Sequence, residues 1–223
     1  MTRTQLVAKF LPRAHLRSAL LPAFMLIPGI PADDWRIEHY AHIPANTVAV
    51  SDAGMNVSVR ASAGPIVYTF EQVRQIKGFR VSGSFSGLPR FGVQDIQGDD
   101  GADDFPLRIG FVVAGDKRLN FVQRLVAADW VKRLYTSAPE GVGLDRVQFY
   151  TLSQRPELIG QTRVHPDSDL VHETFFASVR KPGPFHYEYQ LARPLQAVAV
   201  WISMDGDDTR SNYDIKLTEL EIE

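Results

Sequence analysis

The sequence predicts an all-β protein, a two-sheet antiparallel β-sandwich. Three observations predict it. Apolar and polar residues alternate in segment after segment, as in Phe79, Val81, Gly83 and Phe85 against Arg80, Ser82, Ser84 and Ser86. Gly- and Pro-containing turns punctuate these segments at short intervals: Gly64-Pro65, Gly87-Leu88-Pro89, Pro139-Glu140-Gly141, Lys181-Pro182-Gly183-Pro184 and Gly206. Helical periodicity is thin. Only Leu119–Ala128 and Glu71–Lys77 are open to a helical reading, and each is equally open to an extended one.

The strands follow in order. Asn46–Arg60 is two short runs around Asp52-Ala53-Gly54, a hairpin signature. Gly78–Gly87 alternates throughout. Phe105–Ala114 sets Leu107, Ile109, Phe111 and Val113 on one face. Trp130–Thr136, Val147–Leu152, Thr174–Arg180 and Phe185–Leu191 come next, and Val198–Met204 and Asp214–Ile222 close the chain. About ten strands with little helix and no dividing linker fit one sandwich of jelly-roll type.

The first 32 residues differ in kind. Arg3, Lys9, Arg13 and Arg17 are basic, and no acidic residue precedes Asp33. The apolar stretch Ala19–Ala32 follows, broken by Pro22, Pro28 and Pro31. A basic start, a short apolar centre and a small residue before two aspartates match a secretory signal; a disordered or loosely packed arm is the other reading. The expected organisation is therefore a signal-like or disordered segment over 1–32 and a single sandwich domain over 33–223. The expected location is periplasmic or secreted, with cytoplasmic as the alternative, and no stable membrane span after processing.

Composition excludes several functions. The net charge of −2 gives no electrostatic basis for nucleic-acid binding. With no cysteine there is no disulfide, thiolate metal site or cysteine nucleophile. No nucleophile elbow, zinc-protease helix motif or phosphate-binding glycine loop is present.

The most informative segments are two strands with acidic flanks. In Gly98–Gly115 the carboxylates precede an apolar strand; in Ala197–Leu217 they follow one. If these strands are antiparallel, both loops lie at one end, gathering Asp99, Asp100, Asp103, Asp104, Asp205, Asp207 and Asp208. Asp104, Asp205, Asp207 and Asp208 are the candidate ligands for a hard cation such as Ca2+, which takes six to eight oxygens; the spacing is not that of an EF-hand. Two simpler accounts exist. Aspartate and glycine favour turns, and Arg108, Arg210 or Lys117 can neutralise the cluster.

Asp103-Asp104-Phe105 with Arg108 resembles an Asp-Asp-Phe-x-x-Arg segment that opens a strand in a family of uncharacterised bacterial proteins. That family is a domain of unknown function whose members look like galactose-binding-type β-sandwiches. Trp130–Gly141 resembles its aromatic strand and Pro-x-Gly turn. Met204-Asp205-Gly206-Asp207-Asp208-Thr209 and Tyr213-Asp214-Ile215 resemble its acidic loop and closing strand. Asp208 stands where the family has Asn, and Phe79-Arg80-Val81-Ser82 replaces a Trp-rich strand. The resemblance spans roughly Trp35 to Ile222 and implies a galactose-binding-like sandwich; it brings no activity with it.

A ligand face is also legible. Strict alternation puts Trp201 with Ser203 and Asp205, Tyr150 with Gln148, and Arg80 with Ser82 and Ser84. Sugars stack an apolar ring face on an aromatic side chain while polar groups fix their hydroxyls. Arg80, Ser82, Arg108, Gln148, Tyr150 and Trp201 are thus the candidate ligand-binding residues, although aromatics in a sandwich also fill its core. His165, His172 and a carboxylate are a conceivable zinc set without recognised spacing. The expected function is a non-catalytic module for carbohydrate or a cell-envelope ligand. The alternatives are a glycoside-hydrolase-like enzyme using two of the aspartates and a structural partner in an envelope assembly.

Overall fold

Eleven β-strands make up the fold in the computed structural model, which describes residues 23–116, 141–166 and 168–223. They are β1 Phe24–Ile27, β2 Arg36–Ile37, β3 Thr47–Ser51, β4 Gly54–Arg60, β5 Ile66–Ser86, β6 Leu107–Gly115, β7 Gly143–Ser153, β8 Thr162–His165, β9 Ser168–Ser178, β10 Gly183–Ser203 and β11 Asn212–Ile222. Two 3-10 turns, Ala32–Asp34 and Pro156–Leu158, are the helical elements among the described residues.

The strands form a single hydrogen-bonded ladder in the order β3-β4-β11-β5-β10-β6-β7-β9-β8, with β1 added to β11 and β2 to β5. Two layers arise because β5 and β10, each 21 residues long, pass from one layer to the other. The C-terminal half of β5 pairs with β11 and with the N-terminal half of β10. The N-terminal half of β5 pairs with the C-terminal half of β10, which carries β6 on its other edge. The register between β5 and β10 breaks between Gln190 and Leu195, where the ladder changes layer.

The two layers close on an aromatic core. Phe79 on β5 and Tyr189 on β10 meet Tyr150 of β7, with ring centroids 5.5 and 5.1 Å apart, and Phe79 meets Phe176 of β9 at 5.3 Å. Around them, Val57, Val59, Val81, Phe85, Ile109, Phe111, Val200, Ile202, Ile215 and Leu217 are buried in one cluster. Alternation explains this selection, since the inward residues of β6 are Leu107, Ile109 and Phe111 and those of β10 are Val200 and Ile202.

The ladder differs from the expected all-antiparallel arrangement at one place: β7 and β9 are parallel. The chain leaves β7, turns through Pro156–Leu158, runs back as β8 and returns as β9 between β8 and β7.

The N-terminal boundary also differs. Phe24–Ile27, expected to fall in the signal-like segment, is a strand paired with Glu221 and its neighbours on β11. Leu26 and Ile27 are fully buried in the main core. The sandwich therefore includes chain upstream of residue 33, because the apolar run ending in Ile27 finishes a layer instead of standing outside it. Glu71–Lys77 is extended, as part of β5. The expected strand Trp130–Thr136, the ambiguous Leu119–Ala128 and the cation Lys117 lie outside the described residues.

Candidate functional site

The outward face of the β10–β6–β7–β9 layer carries a second, smaller apolar cluster built on Val67, Val112, Phe149, Val198 and Trp201, with Tyr40 and Val171 against it. At its loop end this face opens into a pocket of about 420 Å3. Tyr40, Phe149 and Trp201 form one wall, and Asp103, Asp104, Asp205, Asp207 and Asp208 lie around the rest with Arg108 and His165.

Strand register builds this site. β6 and β10 are antiparallel and pair Arg108 with Ser203. The loop entering β6 and the loop leaving β10 therefore lie together, as the sequence predicts. They are also tied. Asp104 Oδ2 accepts from the Thr209 amide at 2.8 Å and from the Thr209 hydroxyl, and Asp208 Oδ2 accepts from the Asp103 amide at 2.9 Å. The Asp205 amide donates to the Phe105 carbonyl at 3.2 Å.

Arg108 is the hub. Its outward-facing guanidinium is buried, and three carboxylates from three parts of the chain meet it. Nε donates to Glu173 Oε1 at 3.0 Å, Nη2 to Asp103 Oδ2 at 2.9 Å, and Nη1 stands against Asp205 Oδ2. Asp205 Oδ1 accepts from the Ser203 hydroxyl at 2.8 Å, while its Oδ2 makes no further hydrogen bond and is met by that close ion pair. Arg163 on β8 braces the same group by donating to Glu173 Oε2 and Asp103 Oδ1, and His165 Nε2 lies 3.0 Å from Asp103 Oδ2. The ring of Phe105 underlies both arginines, 4.6 Å from the Arg108 guanidinium and 5.5 Å from that of Arg163.

Gly110 makes the aromatic wall possible. It lies between Trp201 of β10 and Phe149 of β7 in the ladder. A Cβ there would stand 2.5 Å from a Phe149 ring carbon and 3.0 Å from the Trp201 carbonyl oxygen. Without that atom the Phe149 and Trp201 rings pack edge to face, 5.4 Å apart.

The carboxylates divide by their surroundings. Burial pushes the Asp103 carboxyl up, but the His165 hydrogen bond and the Arg108 and Arg163 charges outweigh it and hold the pKa down at about 2. Asp104 is raised by burial, with Asp208 adding to it and the Thr209 bonds opposing. Asp207 is raised by burial and by the neighbouring Asp104 and Asp208 charges. Burial likewise raises the Tyr40 phenol. Asp103, Asp205 and Glu173 are held by arginine, and Asp104 and Asp208 by the loop-to-loop hydrogen bonds. Asp207 is half-buried, lines the pocket and is bound to none of these partners.

Of the ten candidate residues named from sequence, the pocket gathers six: Arg108, Trp201, Asp104, Asp205, Asp207 and Asp208. Arg80 and Ser82 lie on the outer face of the other layer. There Arg80 pairs with Glu221 and Glu223, and Ser82 bonds Glu219 and His186. Tyr150 is a core ring between Phe79 and Tyr189, and Gln148 bonds Thr174 at 3.2 Å. Asp99 and Asp100 are exposed and outside the pocket lining, as is Arg210. His172 does not line the pocket, and among the described residues no group of three or more His, Asp or Glu is arranged to hold a metal ion. Four contributors were not singled out from sequence as site residues: Tyr40, Phe149, Arg163 and Glu173. Phe149 and Glu173 were open to detection, because they fall on the outward phase of their strands beside Trp201 and Arg108. Nothing local marks Tyr40 or Arg163.

Fold and site together define a β-sandwich with a ligand-sized pocket, aromatic on one side and acidic on the other, at one end of the layers. No protein-family model matches the sequence, and no curated protein matches it. Three solved structures are similar at low identity. The family 11 carbohydrate-binding module from Clostridium thermocellum, in complex with a β-1,3-1,4-mixed-linked tetrasaccharide, matches 90% of this chain and 94% of its own at 9% identity and a TM-score of 0.40. The Emp47p carbohydrate recognition domain matches 89% and 92% at 11% identity and 0.35. The second N-terminal cellulose-binding domain of Cellulomonas fimi β-1,4-glucanase C matches 91% and 92% at 13% identity and 0.30.

Proposed function

We propose that this protein is a non-catalytic binding module whose pocket takes a carbohydrate end group. The observation that carries this reading is the division of labour within the pocket. Asp103, Asp205 and Glu173 are occupied by Arg108 and Arg163, and Asp104 and Asp208 join the two loops. What a ligand meets is therefore the half-buried Tyr40 and the Asp207 carboxylate, backed by the buried Phe149 and Trp201 rings. An aromatic wall suits the apolar face of a sugar ring, and a carboxylate accepts hydrogen bonds from its hydroxyls. A volume of about 420 Å3 falls in the range of small-ligand sites.

A hydrolase is the second reading, favoured by the opposite pKa directions of Asp103 and Asp207. Hydrolysis of a glycosidic bond needs two available carboxyl groups flanking it. Asp103 has one oxygen on Arg163 and the other on Arg108 and His165, and its pKa is held down at about 2, which makes it a weak base and a poor nucleophile. The binding reading is therefore the stronger.

The test is calorimetric titration with a panel of neutral mono- and oligosaccharides on the wild type and on Asp207→Asn, with chromogenic glycosides assayed in parallel. Saturable binding weakened tenfold or more in Asp207→Asn, with no glycoside cleaved, supports the module. Turnover abolished by Asp207→Asn supports the hydrolase and overturns it. Absence of binding across the panel overturns the carbohydrate assignment.

The basic, acid-free start supports export of this module. Processing must then leave Phe24–Ile27 in place, which N-terminal sequencing of an exported form would check. Among the described residues no helix is long and apolar enough to cross a membrane.

A further inference from the structure

We propose that β3 is a self-complementary edge through which two copies of this chain pair antiparallel, with the two-fold axis at Ala49. β3 ends the ladder. It pairs with β4 over five consecutive positions without a register shift, and no described strand pairs with its other side. Its backbone groups on that side form a template for a further strand. Edge strands are usually blunted by charge, proline or a bulge. Thr47-Val48-Ala49-Val50-Ser51 has none of these, and Thr47, Ala49 and Ser51 are exposed.

The occupant follows from the strand's own order, which reads nearly the same in both directions about Ala49. An antiparallel copy centred there places Val48 against the partner's Val50 and Thr47 against the partner's Ser51. Val48 and Val50 already pack on the margin of the main core. Pairing would extend that apolar row from one copy into the next, and the outward row would remain hydroxyl against hydroxyl. Beyond the strand, Asp52 falls opposite the partner's Asn46, so the register sets no like charges against each other. One surface patch meets itself, as a closed two-fold dimer requires. The Pro28–Ala32 turn approaches Val50–Asp52 across a hollow of about 470 Å3 without hydrogen-bonding to β3. A five-residue strand pair is a small interface, so the dimer is weak and concentration-dependent.

The chain has no cysteine, which makes a direct test possible. Residues facing each other across an antiparallel pair have Cα atoms about 4.5–5.5 Å apart, within disulfide range. Ala49→Cys in the full chain is expected to give a covalent dimer as the main product of mild oxidation. Ala53→Cys, on the same hairpin but well away from the axis, is expected to stay monomeric. Sedimentation of the wild type should show a dimer growing with concentration. Ala49→Lys, which sets two ammonium groups against each other at the axis, should abolish that dimer without moving the thermal midpoint measured at low concentration. Equal cross-linking at both cysteines, a wild type that stays monomeric at millimolar concentration, or a dimer that survives Ala49→Lys would each overturn the proposal.

Discussion

Replacing Asp103 by Asn should destabilise the fold by about 2 kcal/mol at neutral pH, and the size of the loss should depend on pH in a defined direction. The carboxylate is met by Arg163 on one oxygen and by Arg108 and His165 on the other. Its pKa falls from 3.8 to about 2, because the hydrogen bonds and cationic charges overcome the burial that would raise it. At ~1.36 kcal/mol per pH unit, that drop makes the ionised group worth about 2 kcal/mol to the folded state. A folded pKa below the unfolded one gives stability that is present above 3.8 and is lost as pH falls through about 2. The cost stays near this figure because Glu173 and Asp205 still oppose Arg108 and Arg163 when Asp103 is neutral, so neither cation is left alone. Urea denaturation followed by tryptophan fluorescence, from pH 7 downward, measures the gap between wild type and variant. The gap should hold from pH 7 down to the unfolded pKa of 3.8 and close progressively as pH falls from there toward about 2. An unchanged midpoint at pH 7, or a gap that does not respond to acid, would refute the claim that this charge is held by the arginine pair.

Four further outcomes follow from particular contacts. A chain starting at Asp33 loses Leu26 and Ile27 from the core and should melt well below a chain starting at Ala23, by about 3–6 kcal/mol for two fully buried aliphatic side chains; equal melts would show that β1 is dispensable. Gly110→Ala should cost about 1–3 kcal/mol, because the Phe149 ring must move, and a near-ultraviolet circular dichroism spectrum would register that shift. Asp207→Asn should stabilise the fold at pH 7. Its folded pKa is raised, so the ionised group is a penalty that fades as pH falls through that value toward 3.8, and melts at pH 7 and pH 4 compare the two regimes. Millimolar calcium at constant ionic strength should leave the wild-type midpoint unmoved, because Asp104, Asp205 and Asp208 already spend oxygens on Thr209, Arg108 and the Asp103 amide; a rise abolished by Asp207→Ala would reinstate a metal.

Strand phase was legible wherever a strand is regular. Val200, Ile202 and Met204 face the core while Trp201 faces the pocket, and Phe79, Val81 and Phe85 face inward while Arg80 and Ser82 face out, all as alternation requires. What alternation does not carry is which layer a strand joins. The segments Phe185–Leu191 and Val198–Met204 read as two strands, because Arg193-Pro194 interrupts the apolar pattern, yet both belong to β10 and the interruption is where the ladder changes layer. That single geometric fact sends Arg80 and Ser82 to one layer and Trp201 and Arg108 to the other. Phe24–Ile27 departs from the sequence expectation for a related reason. Its composition matches both a leader and a core strand, and only the exposed edge of β11 decides between them.

The site was legible as far as its register and no further. Two acidic loops flanking antiparallel strands must meet, and they do. The purpose of their charges could not be read from the loops, because the deciding contacts span the chain: Asp103 to Arg163 over 60 residues and Arg108 to Glu173 over 65. Arg163 and Glu173 sit on β8 and β9, and only the parallel placement of β9 beside β7 brings Glu173 under Arg108. Seven aspartates without those partners suggest a cation site. With them, the same carboxylates are mostly fasteners: Asp103 and Asp205 hold Arg108, while Asp104 and Asp208 hold the opposite loop. A network of this kind rigidifies what it surrounds, since each member fixes the geometry of the next. The wall of Phe149 and Trp201 is fixed in turn by the close approach at Gly110. Rigid walls lower the ordering cost that a ligand must overcome on binding. That leaves Asp207, outside the arginine and loop-to-loop pairings and raised by burial and then by its acidic neighbours, as the pocket carboxylate best placed to gain from a ligand's hydrogen bonds.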